Sequence, residues 1–285
     1  MTDPASEIRQ EVFGGDLKGE LRALVKARAF RPFLRLALIA GWTAGGLVIL
    51  LAGLWTLALA PRQALRWRRR MVRLWARGLT WIAGMHIDLT GPLPKPPFVL
   101  VANHLGYVDI VLLFSRLDCV FVAKQELRQW PVLGYLTRRV GTIFVDRRLR
   151  RDAVRVVDEI GAAIARGDGV VVFPEGTSSP GDGVYPMKPA LLEWAAREGF
   201  PVRCAALGYQ TPPGAPPPHL AVCWWGDMTF APHLMQLLRL SGFQATIDFV
   251  PEPIVSRDRA ELAARAREEI ARKFRPVLPK KTTHE

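Results

Sequence analysis

The 285-residue sequence predicts an α/β fold, a mixed and largely parallel sheet covered by helices, preceded by helices suited to a membrane. Three observations carry that prediction. From Pro92 onward, short runs rich in Val, Ile and Phe alternate with helical stretches, the texture of strand–helix–strand units. Several of these runs are apolar throughout, as strands are when both faces of a sheet are covered. Ahead of them lies the longest uncharged apolar run of the chain, Leu36 to Ala60.

Taken in order, residues 1–20 form an acidic tail with five carboxylates against Arg9 and Lys18. Residues 21–86 read as basic, apolar, membrane-associated helices. Within them, residues 21–77 hold twelve basic side chains and no acid. At about 1.5 Å per residue the 25 residues from Leu36 to Ala60 would span roughly 37 Å, more than a hydrocarbon core of about 30 Å. Trp42 and Trp55 lie inside the run, and four glycines (Gly41, Gly45, Gly46, Gly53) suit a membrane helix better than a soluble one. A second, amphipathic helix is expected over residues 64–82, with Trp67, Met71, Leu74, Trp75 and Ile82 on one face and arginines on the other. The arginine excess on the C-terminal side of the run places the chain after residue 62 on the cytoplasmic face of the (inner) membrane. The five basic residues before the run favour a dip into one leaflet over a single crossing, and both topologies stay open.

Residues 87–285 form the α/β domain. Its expected strands are Phe98–Ala102, Cys119–Ala123, Thr142–Val145, Gly169–Phe173, Val202–Leu207, Leu220–Trp224 and Ala245–Val250. Its expected helices are Asp109–Arg116, Pro131–Arg139, Arg150–Arg166, Pro189–Glu198, His233–Leu240 and Asp258–Phe274. A 49% hydrophobic content excludes disordered and collagen-like classes. Three scattered cysteines make neither a disulfide framework nor a zinc signature. The net charge of +13 raises nucleic acid as a partner, but residues 78–285 hold 25 basic and 21 acidic groups, so the folded body is only mildly basic and no nucleic acid is expected.

Chemistry gathers at the predicted strand ends. Asn103-His104 follows the first strand, and Asp109 opens the next helix, with Gly106 allowing the chain to turn between them. A carboxylate on one imidazole nitrogen leaves the other free to take a proton, an arrangement that suits deprotonation of a hydroxyl. Taken alone, such a pair is more often a capping or core contact. A second strand ends in Phe173-Pro174-Glu175-Gly176-Thr177, and Met187-Lys188-Pro189 precedes a helix. A third ends in Phe144-Val145-Asp146-Arg147, where an arginine fork suits a phosphate.

Together these segments resemble the lysophospholipid and glycerolipid acyltransferase family, of the 1-acyl-sn-glycerol-3-phosphate acyltransferase type. His104 and Asp109 match its H-x4-D motif, Phe144 to Arg147 its Phe-Val-Asp-Arg motif, and Phe173 to Thr177 its Phe-Pro-Glu-Gly-Thr motif. Phe200-Pro201-Val202 resembles a fourth, looser block, so the likeness covers about residues 80–210. The resemblance implies acyl transfer from an acyl thioester, carried by acyl-carrier protein (acyl-ACP) or coenzyme A (acyl-CoA), to a lysophospholipid acceptor in the lipid bilayer. It implies His104 as general base oriented by Asp109, with Arg147, Glu175, Gly176, Thr177 and Lys188 at the acceptor site, and no cofactor or metal. Its first expectation is 1-acylglycerol-3-phosphate converted to phosphatidic acid. Ser178 departs from the family, which often carries arginine there, and opens lyso-ornithine lipid as the alternative acceptor. A non-catalytic membrane-binding protein is the alternative of a different class. The paired Trp224 and Trp225 fit core packing or a bilayer interface.

Overall fold

The computed structural model describes residues 17–130, 133–146 and 152–278. Two helices, α1 (Leu17–Thr56) and α2 (Pro61–Ala83), lead into the body. Pro61 starts α2 at a position where a missing N–H costs nothing, and Gly84 ends it in the left-handed conformation (φ 72°). The apolar helix expected over Leu36–Ala60 thus begins earlier and stops at Thr56. Its segment Phe30–Thr56 is long and apolar enough to cross a membrane by length and composition, with a mean hydropathy of 2.0.

α1 and α2 are joined by tryptophans. The Trp42 indole donates to the Trp75 carbonyl (3.0 Å), Trp75 donates to Thr43 Oγ1 (3.1 Å), and Trp67 donates to the Leu50 carbonyl (3.3 Å). Gly53 and Gly78 are where these indoles press closest, and a Cβ at either would strike Trp67 or Trp42. Arginines read from the sequence as a membrane address also fasten this hairpin to the body. Arg35 donates to the Leu240 carbonyl (2.7 Å), Arg69 to Asp168 (2.9 Å) and Arg77 to the Ser115 carbonyl (3.2 Å), while Arg73 pairs with Asp118.

The body contains strands β1 (Met85–Thr90), β2 (Phe98–Ala102), β3 (Cys119–Lys124), β4 (Ile143–Val145), β5 (Gly169–Val172), β6 (Val202–Gln210) and β7 (Phe243–Phe249). Their order in one seven-stranded sheet is β1-β7-β6-β2-β5-β3-β4, and among the strands of the described residues only the β6–β7 pair is antiparallel. The described residues of the body also form helices α3 (Val108–Arg116), α4 (Leu133–Arg139), α5 (Asp152–Ala165), α6 (Glu193–Glu198), α7 (Pro218–Ala221), α8 (Phe230–Arg239) and α9 (Arg259–Lys273). The central strands alternate strictly between two cores. Phe98, Leu100 and Ala102 of β2 face α2, α3 and α8, whereas Val99 and Val101 face α5, α6 and α9.

Three elements differ from the sequence expectation, the first being the helix expected over Pro189–Glu198, which opens as a 3₁₀ turn (Pro189–Leu192) before α6. Leu220–Trp224 is not a strand: Pro218 starts the short helix α7, and Ala221, Val222 and Cys223 are buried in the α3 core without joining the sheet. Its apolar run reflects burial alone, and the N-terminal proline favours the helical turn. β1 was not anticipated and straddles the boundary drawn at residue 86 between the membrane-associated segment and the α/β domain. It is an edge strand paired only with β7, and most of its residues are exposed.

Candidate active site

The loops that leave β2 and β5 turn to opposite faces of the sheet. β2 leads to α3 on one face and β5 leads towards α6 on the other. Neighbouring parallel strands whose connections part in this way open a crevice at their carboxyl ends, where ligands gather in open α/β sheets. His104 and Glu175 stand at this crevice.

Just past β2, the buried Asn103 side chain continues the ladder towards β6, donating to the Leu207 carbonyl (3.0 Å) and accepting from the Leu207 N–H (2.7 Å). The chain then turns sharply through His104, Leu105 and Gly106. Gly106 is required here, because a Cβ would come within 2.7 Å of the Trp224 amide nitrogen, which itself donates to the Leu105 carbonyl (2.8 Å). Asp109, fully buried in the first turn of α3, holds the loop: its Oδ2 accepts from the N–H groups of Leu105 (2.7 Å) and Gly106 (3.0 Å). The same oxygen lies 2.8 Å from His104 Nδ1, which therefore donates to it. Phe173, at the end of β5, stacks on the imidazole with ring centroids 4.2 Å apart. The ring is thus fixed in plane and tautomer, and Nε2 is the nitrogen able to accept a proton. At 22% side-chain exposure, His104 can reach a substrate while its carboxylate cannot.

The Phe173–Thr177 turn is closed by the Gly176 N–H donating to the Phe173 carbonyl (3.1 Å), with Gly176 at φ 79°. Glu175, expected at the acceptor site, points inward. Its Oε1 accepts from the His104 N–H (3.1 Å) and its Oε2 from the Tyr185 N–H (3.3 Å). Burial raises its pKa to about 8, the two amide donors lower it, and Asp109 raises it. The Ser179 N–H donates to the His104 carbonyl (2.9 Å), so the two loops brace each other. Thr177 and Lys188 are exposed on this side, and the Lys188 N–H donates to the Pro174 carbonyl (2.9 Å).

Arg147, the expected phosphate clamp, lies outside the described residues, as do Arg148 and Arg150. β4, which leads to it, ends three strands from β2, about 14 Å across the sheet at about 4.8 Å per strand. The paired tryptophans serve the fold. Trp224 donates to the Met228 carbonyl and Trp225 to the His219 carbonyl (2.8 Å each), and Trp224 packs with Tyr107 and Phe230. Sequence reasoning missed Tyr209 of β6, whose hydroxyl donates to Asp109 Oδ1 at 2.6 Å.

An imidazole held by a buried carboxylate at the crevice of an open α/β sheet has the geometry a histidine base would need. The family model described as "Acyltransferase" matches residues 86–207. Among similar proteins, the lyso-ornithine lipid O-acyltransferase of Rhizobium meliloti is 34% identical, over 64% of this chain and 66% of that one. The lyso-ornithine lipid O-acyltransferase of Pseudomonas aeruginosa is 32% identical, over 71% of this chain and 78% of that one. The 1-acyl-sn-glycerol-3-phosphate acyltransferase of Neisseria meningitidis serogroup B is 30% identical, over 71% and 80%. The crystal structure of the 1-acyl-sn-glycerophosphate (LPA) acyltransferase PlsC from Thermotoga maritima shares the fold, with a TM-score of 0.66 at 20% identity over 87% of this chain and 96% of that one. The chain belongs to the acyltransferase family of the lysophospholipid and glycerolipid type.

Proposed function

We propose that the protein transfers a fatty acyl group from an acyl thioester to the hydroxyl of a lyso-ornithine lipid, with His104 as the general base. The observation that carries the base is the His104–Asp109 contact of 2.8 Å on a carboxylate with no exposure. In the reaction, His104 Nε2 takes the acceptor's hydroxyl proton as that oxygen attacks the thioester carbonyl. The C–S bond then breaks, and the imidazolium returns its proton to the departing thiolate. A positioned base of this kind supplies roughly 10²- to 10⁴-fold.

For the acceptor, Ser178 stands where the family often carries arginine, and an ornithine headgroup has no phosphate that would need that cation. The Neisseria relatives support 1-acylglycerol-3-phosphate as the second reading. Purified protein supplied with acyl-ACP or acyl-CoA and each acceptor in turn tests both. Product with lyso-ornithine lipid supports the first reading, product only with lysophosphatidic acid supports the second, and no product with either overturns the assignment.

The bilayer that holds acceptor and product gives the N-terminal hairpin its role. We favour a monotopic placement on the cytoplasmic face. α1 stays against α2 from Trp42 to Gly53, and α2 is itself ion-paired to the body through Asp118 and Asp168. A helix held along that length dips into one leaflet more readily than it crosses two.

A further inference from the structure

We propose that Tyr209 is a positioning residue of the acyl-transfer site, acting on His104 through Asp109. The inference rests on His104 being the base and extends the pair to a chain of three side chains.

The two oxygens of Asp109 have different tasks. Oδ2 accepts from His104 Nδ1 and from the Leu105 and Gly106 amides, so it shapes the loop and holds the imidazole. Among the described residues, Oδ1 has one hydrogen-bond donor, the Tyr209 hydroxyl at 2.6 Å. A carboxylate has about four acceptor sites, and one buried without exposure needs its donors from the protein. The four donors here meet that number, with Tyr209 supplying the last. By holding Oδ1, the phenol also sets the rotation of the carboxylate and so aims Oδ2 at the imidazole.

The sheet places this hydroxyl. Asn103 ties the end of β2 to Leu207 in both directions, and Tyr209, two residues further along β6, shows the same face. The Tyr209 ring packs edge-on against Phe243 of β7, with centroids 6.1 Å apart. Burial first, and then Asp109, push its pKa well above the ordinary value for a phenol, so it stays a donor throughout the working pH range. The other titratable or charged groups around this chain are Glu175 on the turn after β5, Arg267 on α9 acting on Glu175, Cys223 after α7, Tyr107 before α3, and His233 on α8.

A strong donor on Oδ1 withdraws charge from the carboxylate and moderates its hold on the imidazolium. Without it, Asp109 should stabilise the protonated base more strongly while orienting it less well. The test compares Tyr209→Phe, His104→Ala and the wild-type chain in acyl transfer to lyso-ornithine lipid and to lysophosphatidic acid between pH 5.5 and 9.5. For Tyr209→Phe we expect kcat to fall by about 10- to 100-fold, a part of what a positioned base supplies, with KM for the acceptor changed by less than about threefold. The acid limb of the kcat/KM profile should move up by about half a pH unit or more. A second variant carries 3-fluorotyrosine at position 209. It keeps the shape, donates more strongly, and should move the same limb down. An inactive His104→Ala beside a Tyr209→Phe with wild-type kcat and acid limb overturns the role of Tyr209 and leaves the base intact. If Tyr209→Phe fails to fold, a 3-fluorotyrosine protein with an unmoved limb overturns it as well. An active His104→Ala overturns the base assignment itself, and the proposal with it.

Discussion

Replacing Glu175 with glutamine should remove the pH dependence that this buried carboxyl imposes on stability. In the fold its pKa stands at about 8, against the ordinary 4.5, with burial the largest cause. The folded chain therefore holds this proton more tightly than the unfolded chain does. Its contribution to stability is complete below pH 4.5, falls as pH rises towards 8, and is gone above that. At 1.36 kcal/mol per unit of pKa, the whole contribution is on the order of 5 kcal/mol, lost at no more than about 1.4 kcal/mol per pH unit. Glutamine has nothing to titrate, but its amide nitrogen only donates, so one of the His104 and Tyr185 N–H groups loses its acceptor, which costs about 1–3 kcal/mol at every pH. The two stability curves should therefore cross. The variant is less stable at pH 5 and gains on the wild type with each unit, overtaking it before pH 9. Urea unfolding in detergent, followed by tryptophan fluorescence from pH 5 to 9, reads this directly. Parallel curves would refute the argument, because they would mean that Glu175 titrates alike in the folded and unfolded chains.

The same geometry sets other outcomes. Asp109→Asn should fold, since the Tyr209 hydroxyl can turn to accept from the new amide, yet kcat should drop by about 10²-fold or more, because a neutral amide oxygen on Nδ1 no longer stabilises the imidazolium. Single-turnover kinetics with matched thermal melts checks it. Gly106→Ala would force a methyl group to 2.7 Å from the Trp224 amide nitrogen, with an expected loss of about 1–3 kcal/mol in denaturant unfolding and a parallel loss of turnover. Gly78→Val should expel the Trp42 indole and break its bond to Trp75, loosening α1 from α2. Faster proteolysis of α1, with the α/β body left intact, is the expected readout.

Much of the body was legible because buried parallel strands write continuous apolar runs. β2 is found at its predicted bounds, Phe98–Ala102, and β3, β4, β5 and β7 within one or two residues at each end. β1 escaped because its alternation, Met85-His86-Ile87-Asp88-Leu89-Thr90, is that of a half-exposed edge strand and adjoins the end of a long helix. That period of two was the signal that marks it. The segment around Val222 misled in the opposite sense, since burial in a loop and burial in a strand leave the same composition. In the site, the spacing of His104 and Asp109 gave the pair, and the glycine between them gave the turn. The inward aim of Glu175 was not legible, because nothing in a Pro-Glu-Gly turn says which way the carboxyl points. Tyr209 lies a hundred residues from its partner, joined only through the register of β6 on β2. The arginines of α2 show the same limit: in the sequence their number reads as a membrane address, while their pairing with Asp118 and Asp168 needs the tertiary fold.

The central claim is that His104 Nε2 accepts the proton of a lysolipid hydroxyl. Its most direct test is His104→Ala, purified in detergent with an unchanged thermal melt and given acyl-ACP or acyl-CoA with lyso-ornithine lipid and lysophosphatidic acid. The account predicts a fall in turnover of roughly 10²-fold or more with both acceptors. Turnover within a fewfold of the wild type, in a folded His104→Ala protein, would contradict it.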